Sequence, residues 1–307
     1  MVPWPAPTAR DARAADGAAV PPVRVTRVAS GGGWWALHER APDPRLAHLV
    51  HEYQGYEEHG AGRVVRRALP GTRIPMIVSF DAPWEIGSPG TAGGRMVARR
   101  AFTAGLHDRY AINASEGDVV GMQFDLTPLG AATLLGVPMH ELTGRVVDLD
   151  ELLGDAVALL IERLADAGDW PARFAILDAV LLRRAAACSP ASPDVAWAWR
   201  RLQESGGTIA VATLVEELRC SPRHLSQRFR EQIGMSPKRV ARVLRFERAI
   251  ALLARDDGHR FGQIASACGY YDQAHMNRDF RAFSGGSPGD FLARVGPAGD
   301  VHDAPAG

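Results

Sequence analysis

Apolar positions follow two different periods along the chain, one before Thr127 and another after it. Before it, short apolar runs are separated by glycine and proline, a pattern that predicts strands of a small antiparallel sheet or barrel. His48–Tyr56 is the one segment of this half for which we expect a short helix. The predicted strands are Val23–Val28, Trp34–His38, Ile74–Phe80 and Val119–Phe124.

After Thr127 the apolar residues recur at intervals of three and four, which is the period of an amphipathic helix. Leu149–Leu164 and Phe174–Leu182 carry the first two apolar stripes. Cys188–Asp194 (CSPASPD) interrupts the pattern with two prolines and predicts a linker. The fold class predicted is α+β, with a β-rich N-terminal domain, a helical connector and an all-α C-terminal domain.

These changes of pattern divide the chain into five segments. We expect disordered tails at residues 1–22 and 297–307, where alanine, glycine and proline dominate without any periodicity. The β-rich domain with its helical connector is predicted at 23–187 and the linker at 188–194. The helical domain is predicted at 195–296.

The helical domain contains a second copy of itself, displaced by 51 residues. Each copy has an N-cap residue, two apolar residues four apart on one helix face, and a glycine able to end a helix. A Ser-Pro pair that can begin the next helix follows each glycine. The matched residues are Ser221, Leu225, Phe229, Gly234, Ser236 and Pro237 in the first copy, and Asp272, Met276, Phe280, Gly285, Ser287 and Pro288 in the second.

Each copy therefore predicts a helix, a tight turn and a second helix, the motif whose second helix enters the DNA major groove. The first copy spans Val211–Arg219 and Pro222–Ile233, and the second spans Gly262–Ala267 and Gln273–Phe283. A longer amphipathic helix, Pro237–Ala254, joins them.

Polar side chains lie opposite the apolar stripe of each second helix, as the 100° turn per residue requires. One such face alone is more simply explained as solvated surface, but two faces in matched register favour base contacts. Arg can bond guanine, Gln can bond adenine and an alanine methyl can touch thymine. The predicted DNA-binding residues are Arg223, His224, Ser226, Gln227 and Arg230 in the first copy, and Gln273, Ala274, His275, Asn277, Arg278 and Arg281 in the second.

The charge distribution agrees with a polyanionic partner for this domain. The whole chain carries 35 basic and 35 acidic residues, but residues 200–294 carry 16 Lys and Arg against 10 Asp and Glu. A basic C-terminal third on an acidic remainder is typical of a domain that contacts nucleic acid, although chance clustering explains the number equally well.

Residues 208–294 resemble the DNA-binding domain of AraC/XylS-type bacterial transcription regulators. Three runs carry the resemblance: Ser221–Pro237 (SPRHLSQRFREQIGMSP), Arg242–Leu253 (RVLRFERAIALL) and Ile264–Arg281 (IASACGYYDQAHMNRDFR). The second unit departs from the family pattern at Met276, Ser284 and Cys268, and the first at Val215. The resemblance implies two recognition helices that enter successive major-groove segments on one face of DNA, about 34 Å apart.

A weaker resemblance extends upstream, in Ala68–Phe80 and Gly117–Gly154, to the N-terminal domain of some of these regulators. That domain usually senses an effector or dimerises. The helical stripes at Leu149–Leu164 and Phe174–Leu182 are the expected dimer contact unless they pack on their own barrel. Trp34, Trp35 and Trp84, with Met76 and Phe80, line an effector pocket or form the barrel core, and the sequence favours the core.

No catalytic residue, cofactor or metal site is predicted, because the sequence lacks a phosphate loop, a nucleophile elbow and an H-E-x-x-H motif. His48, His51 and His59 beside Glu52, Glu57 and Glu58 suggest a metal site only weakly, since no H-x-H pair lies on a strand pattern.

The function predicted is therefore a DNA-binding transcription regulator, and the alternative is an enzyme-like N-terminal domain with a DNA-targeting C-terminal domain. No run of about 18 apolar residues and no secretory signal occur, so no membrane partner and a cytoplasmic location are expected. Double-stranded DNA is the expected partner. RNA polymerase, a small-molecule effector and a second copy of the chain are further candidates.

Overall fold

The computed structural model describes residues 4–5, 21–30, 33–60, 62–87, 90, 95–255, 260–295 and 301–302 of the 307-residue chain. It has a β-rich N-terminal part and a helical C-terminal part, so the predicted fold class is confirmed.

The strands form two antiparallel sheets. The order of the seven-stranded sheet is β1-β2-β3-β10-β5-β8-β11, and the order of the five-stranded sheet is β12-β4-β9-β6-β7. The strands are β1 (Arg24–Ser30), β2 (Gly33–Arg40), β3 (Val50–His59), β4 (Val64–Ala68), β5 (Ile74–Ser79), β6 (Trp84–Ile86), β7 (Val97–Arg99), β8 (Ala101–Ala104), β9 (Ala111–Ser115), β10 (Val119–Leu126), β11 (Val146–Asp148) and β12 (Val301–His302).

Eleven α-helices lie in the described part of the chain, and short 3-10 helices occur at Pro44–Leu46 and Met139–Glu141. The α-helices are α1 (Pro128–Leu135), α2 (Leu149–Leu153), α3 (Ala156–Asp166), α4 (Trp170–Ala186), α5 (Pro193–Glu204), α6 (Val211–Glu217), α7 (Pro222–Ile233), α8 (Pro237–Leu253), α9 (Phe261–Ala267), α10 (Gln273–Ser284) and α11 (Pro288–Leu292).

The seven-stranded sheet has two unlike faces because successive side chains of a strand point to opposite sides. On one face Tyr53, Met76, Met122 and Phe124 are buried, and the Tyr53 ring stacks on Phe174 of α4 with a centroid distance of 5.8 Å. The opposite face mixes polar side chains such as Gln54 and Gln123 with apolar ones such as Ile77 and Phe102, and it borders a cavity.

A buried ion pair fastens α4 to this sheet. Arg40 of β2 pairs with Asp178 of α4 and also donates to the carbonyl oxygen of Phe174 at 3.1 Å. The Asp178 carboxylate accepts two further hydrogen bonds at 2.9 Å, from the Tyr53 hydroxyl and from the backbone N–H of Asp43. The carboxylate thus has three partners, whereas the Arg40 Nε atom is buried without a hydrogen-bond partner among the described residues.

Two hydrophobic clusters form the core of the described residues. The larger one runs without a break from the sheet through α1 and α4 to Leu225, Phe229 and Ile233 of α7. The smaller one lies in the second half of the helical domain and includes Phe246, Phe280 and Phe283. The core therefore does not divide at the linker predicted at Cys188–Asp194.

Several predicted elements need correction. The expected helix at His48–Tyr56 is wrong, since Val50–His59 is strand β3; its polar residues alternate with Tyr53 and Gly55 because only one face is packed. Trp4, in a tail predicted to be disordered, is buried with the Arg184 guanidinium 5.4 Å above its ring. Val301–His302, in the other tail, pairs with β4. The other residues of the two tails lie outside the described ones, apart from Pro5, Pro21 and Pro22.

Replacing Asp178 by Asn should lower the free energy of unfolding by about 3–5 kcal/mol, because the buried Arg40 guanidinium loses its counter-charge. The matched control is Glu217→Gln, which removes an exposed carboxylate 3.4 Å from Arg201 and should cost about 0–1 kcal/mol. Urea unfolding measures both. Equal costs for the two variants would show that the Asp178 network does not stabilise the fold.

Candidate nucleic-acid interface and N-terminal cavity

Both predicted helix-turn-helix units form, with the same local chemistry. The Ser221 hydroxyl accepts the N–H of His224 at 3.1 Å at the start of α7, and Asp272 accepts the N–H of His275 at 2.6 Å at the start of α10. Gly234 and Gly285 end these helices at φ 98° and 77°. The predicted helix ends agree with the observed ones to within two residues.

The predicted DNA-binding residues all lie on α7 and α10, and most of their side chains are exposed. Ser226, His275 and Asn277 are half-buried, and the Asn277 side-chain oxygen is buried without a hydrogen-bond partner in the described structure. The exposed ones are Arg223, His224, Gln227 and Arg230 on α7, and Gln273, Ala274, Arg278 and Arg281 on α10.

The apolar faces of the two helices are buried in different surroundings. Phe280 of α10 packs edge-on to Phe246 of α8, with ring centroids 4.9 Å apart. Phe229 of α7 belongs to the large core that continues into α1 and the sheet. The first unit therefore shares its core with the N-terminal part, whereas the second unit has a core of its own.

Three features of this domain did not come from the sequence reasoning. Arg242 of α8 pairs at 2.7 Å with Asp279, a carboxylate on the buried side of α10. Tyr271, in the turn before α10, is 93 % exposed. Arg219 has φ 50°, where the second copy has Gly269 at φ 75°. The offset of 50 residues between Arg219 and Gly269 could have indicated the positive φ of Arg219, because glycine favours that conformation.

The first unit is held against the N-terminal part at the end of α7. Gly234 lies beside the 3-10 helix Met139–Glu141, and the Thr143 hydroxyl donates to its carbonyl oxygen at 2.8 Å. A side chain at Gly234 would place its Cβ 2.6 Å from Thr143 Oγ1 and 3.1 Å from the Met139 carbonyl oxygen. The close approach of the two backbones therefore requires glycine.

Polar contacts attach α8 and the second unit to the N-terminal part. The backbone N–H and the hydroxyl of Thr72 donate to the Glu247 carboxylate of α8 at 2.8 and 2.9 Å. Arg67 donates to the carbonyl oxygen of Ser284 at 2.8 Å. An ion pair of 2.9 Å joins Arg239 to Asp108.

A cavity of about 920 Å³ lies on the mixed face of the seven-stranded sheet, a volume within the range of roughly 300–1,000 Å³ that small-molecule sites occupy. Trp34, Trp35 and Trp84 line it, so the preference for a core role is wrong for them. Met76 lies in the core on the other face, and Phe80 packs under the Arg173 guanidinium at 5.0 Å.

Several charged side chains line this cavity. Arg66 pairs with Glu58 at 2.7 Å, and Arg73 lies 3.6 Å from Asp125 and also pairs with Glu52 at the rim. Glu247 reaches the cavity from α8.

Burial raises the pKa of two of the cavity's carboxyls, Asp125 and Glu247. Loss of water is the largest cause in each case, and it outweighs the hydrogen bonds that Gln123 and Thr72 donate. Their charged forms are therefore stabilised less than they are in water.

The histidines considered as metal ligands do not come together. His59 lies 3.1 Å from Asp118 and stacks against Trp34, while His48 and His51 are exposed. Within the described ranges, no group of three His, Cys, Asp or Glu residues could hold a metal ion. Among the same residues, no helix is long and apolar enough to cross a membrane.

Two family models match the chain. Residues 214–294 match a model described as a helix-turn-helix domain. Residues 38–148 match one described as a domain of unknown function (DUF6597), which covers most of the strands around the cavity.

A similar curated protein is a transcription activator. The HTH-type transcriptional activator RhaR of Yersinia pseudotuberculosis serotype O:3 is 34 % identical over 94 residues, which are 30 % of this chain and 32 % of RhaR. The chain thus spans about a third of the length of the curated relatives that it matches.

Two solved structures are also similar. The C-terminal domain of AraT from Geobacillus stearothermophilus is 28 % identical with a TM-score of 0.31, over 33 % of this chain and 84 % of that one. ToxT of Vibrio cholerae O395 is 10 % identical with a TM-score of 0.43, over 78 % of this chain and 96 % of that one.

Two helix-turn-helix units joined by one long helix, with a matching family model, define the C-terminal part as a DNA-binding domain. In this domain the chain is similar to the HTH-type transcriptional activator RhaR.

Replacing Gly234 by Ala should destabilise the protein more than Gly117→Ala does. Both glycines have positive φ, 98° and 74°, which costs an alanine about 1–2 kcal/mol. Only Gly234 is crowded, because nothing lies within 4 Å of a Cβ at Gly117. Thermal unfolding of the two variants measures the difference. Similar melting temperatures would mean that the contact with Thr143 and Met139 yields freely.

Proposed function

We propose that the protein is a sequence-specific DNA-binding transcription regulator controlled by a small molecule in its N-terminal cavity. The observation that carries the proposal is the pair of exposed faces on α7 and α10, which repeat the same arrangement of an N-cap, a buried stripe and an outward polar stripe. A solvated surface needs no such repetition, whereas two major-groove contacts do.

In this proposal, specificity comes from side chains that can bond base edges. Arg223 and Gln227 on α7, and Arg278 on α10, project outward from the middle of each face, and Ala274 offers a methyl group to thymine. The flanking residues His224, Ser226, Arg230, Gln273, His275, Asn277 and Arg281 contact neighbouring bases and phosphates. The basic excess of the domain adds an attraction that falls steeply with salt.

Control by a small molecule is proposed because the cavity reaches α8. Its wall includes Glu247 of α8, the helix that joins the two helix-turn-helix units. A molecule in the cavity can therefore alter the Thr72–Glu247 hydrogen bonds without crossing any other element. Regulators with a separate sensing domain need such a physical connection.

We infer that the chain acts without catalysis. Glu58 is engaged by Arg66 and Asp125 by Gln123 and Arg73, so both carboxylates have structural partners. DNA as the partner places its action in the cytoplasm, and RNA polymerase is the partner that a transcription activator would require.

The helices expected at a dimer contact are used differently. Val157, Leu160 and Leu164 of α3 are buried in the chain's own core, as are the apolar residues of α4. This packing removes the reason for assigning a dimer to these helices. Ultracentrifugation of the full chain, with and without DNA, tests dimerisation by any other surface.

The first test is selection of bound duplexes from random DNA by the full chain, followed by affinity measurements on the selected site. Arg223→Ala and Gln227→Ala should each relax the base preference in one half of the site. Arg278→Ala should relax the base preference about one helical turn of DNA away from that half. Each substitution should reduce the free-energy preference for the preferred base over the other bases by about 1–3 kcal/mol if the contact is bidentate.

The matched control is Arg228→Ala on the same helix, since Arg228 is half-buried and lies 3.3 Å from Glu231. Its loss should leave base preference unchanged. If the full chain selects no motif, the proposal fails. If Arg223→Ala and Arg278→Ala weaken binding to all sequences equally, these arginines contact phosphate only.

A further inference from the structure

The mixed face of the seven-stranded sheet is unusual for an interior. Gln54 of β3 and Ile77 of β5 flank Gln123 of β10 in register, and Asp125 follows two residues further along the same face. These side chains line the cavity beside Tyr56. A face that served only for packing would carry apolar side chains at Gln54, Gln123 and Asp125, because buried polar groups need partners. The opposite face of the sheet is apolar at Tyr53, Met76, Met122 and Phe124.

The charges at one end of the cavity do not balance. Arg73 pairs with Glu52 and lies 3.6 Å from Asp125. Its neighbour Thr72 bonds Glu247 through neutral donors only. The segment Gly71–Arg73 thus brings one arginine together with three carboxylates, of which Asp125 and Glu247 line the cavity. Arg66 and Glu58, which also line the cavity, pair with each other at 2.7 Å.

Aromatic side chains from both sheets share the cavity lining with these polar groups. Trp35, Tyr56, Trp84 and Phe102 line the cavity, and the indole N–H of Trp84 donates to the Tyr56 hydroxyl at 3.0 Å. Tryptophan and tyrosine rings attract cations over their faces as well as burying apolar groups. The Arg66 guanidinium already lies 5.8 Å above Trp84.

We propose that the cavity binds an organic cation, an ammonium or guanidinium group on an apolar or aromatic body. The cationic head takes the missing positive charge between Asp125 and Glu247, and the body packs among the aromatic rings. Asn113, which also lines the cavity, has a buried side-chain oxygen without a partner among the described residues, and a donor on the ligand would satisfy it.

This ligand class deepens the proposed function, on which its role as effector rests. A cation beside Glu247 competes with Thr72 for the carboxylate and so acts directly on α8. The ligand would therefore be detected by a charge on the helix that connects the two DNA-binding units, not through the distant core.

The test is calorimetric titration of the full chain with matched probes that share a body and differ in the head group. One set is tryptamine, indole-3-ethanol and indole-3-propionate, and a second set is octylamine, octanol and octanoate. The titrations are done at about pH 7.5, which is well below the ordinary pKa of an alkyl ammonium, so the amines are charged. Each amine should bind at least about tenfold more tightly than the alcohol of its set, and the carboxylate of the set should bind least.

Asp125→Asn and Glu247→Gln keep the shape of each side chain and remove its charge, so each should reduce the preference for the amine over the alcohol by about tenfold. Glu52→Gln is the matched control, since Glu52 contacts the same arginine but does not line the cavity. It should leave the preference nearly unchanged. Circular dichroism melting confirms that each variant is folded.

A carboxylate that binds as tightly as its amine, equal affinity for all three heads, or no binding by either amine at millimolar concentration would each overturn the ligand class. So would an amine preference that survives in both Asp125→Asn and Glu247→Gln. These titrations contain no DNA. The ligand class can therefore fail while motif selection by the full chain succeeds, and a failed motif selection leaves the calorimetric result intact.

Discussion

One continuous hydrophobic core joins the seven-stranded sheet, α1, α4 and the first recognition helix, α7. Burial of apolar surface is the largest favourable contribution to folding, so elements that share a core cannot separate without exposing it. The position of α7 relative to the sheet is therefore set by the same packing that stabilises the N-terminal part. Gly234, with no side chain between α7 and Met139, is one of the points where this packing is close.

The second unit is attached in a different way. Phe246, Phe280 and Phe283 form a separate cluster, against which Leu69 of the N-terminal part packs. Hydrogen bonds of Arg67 and Glu247 also link this half to the N-terminal part. A hydrogen bond between protein groups is exchanged for bonds to water at a net cost of only about 0.5–1.5 kcal/mol. A small change in the cavity can therefore shift α10 at much lower cost than α7.

The sequence was informative where one physical signal acts alone. The helices of the C-terminal domain follow from their period, caps and glycines, and the repeat of these signals predicted the bounds of α7 and α10 to within one residue. Strand β3 was missed because polar residues lie on both of its faces, with Glu57 next to Glu58, so no clear apolar alternation runs along its whole length. The short strands β6 and β7 pair over three residues, too few to leave a periodic pattern.

The cavity itself could not have been predicted from periodicity, because its defining contacts join residues far apart in the chain. Thr72 and Glu247 are separated by 175 positions, and neither belongs to a recognisable motif. Tryptophans at 34, 35 and 84 fit a core as well as a pocket until the polar residues opposite them are known. The charge imbalance at Arg73 adds a second consequence: a cationic ligand would relieve the repulsion between Asp125 and Glu52 at the same time as it buries its body. Electrostatic gain and apolar burial then favour the same occupied state, and the carboxylate that couples them, Glu247, belongs to the helix between the two DNA-binding units.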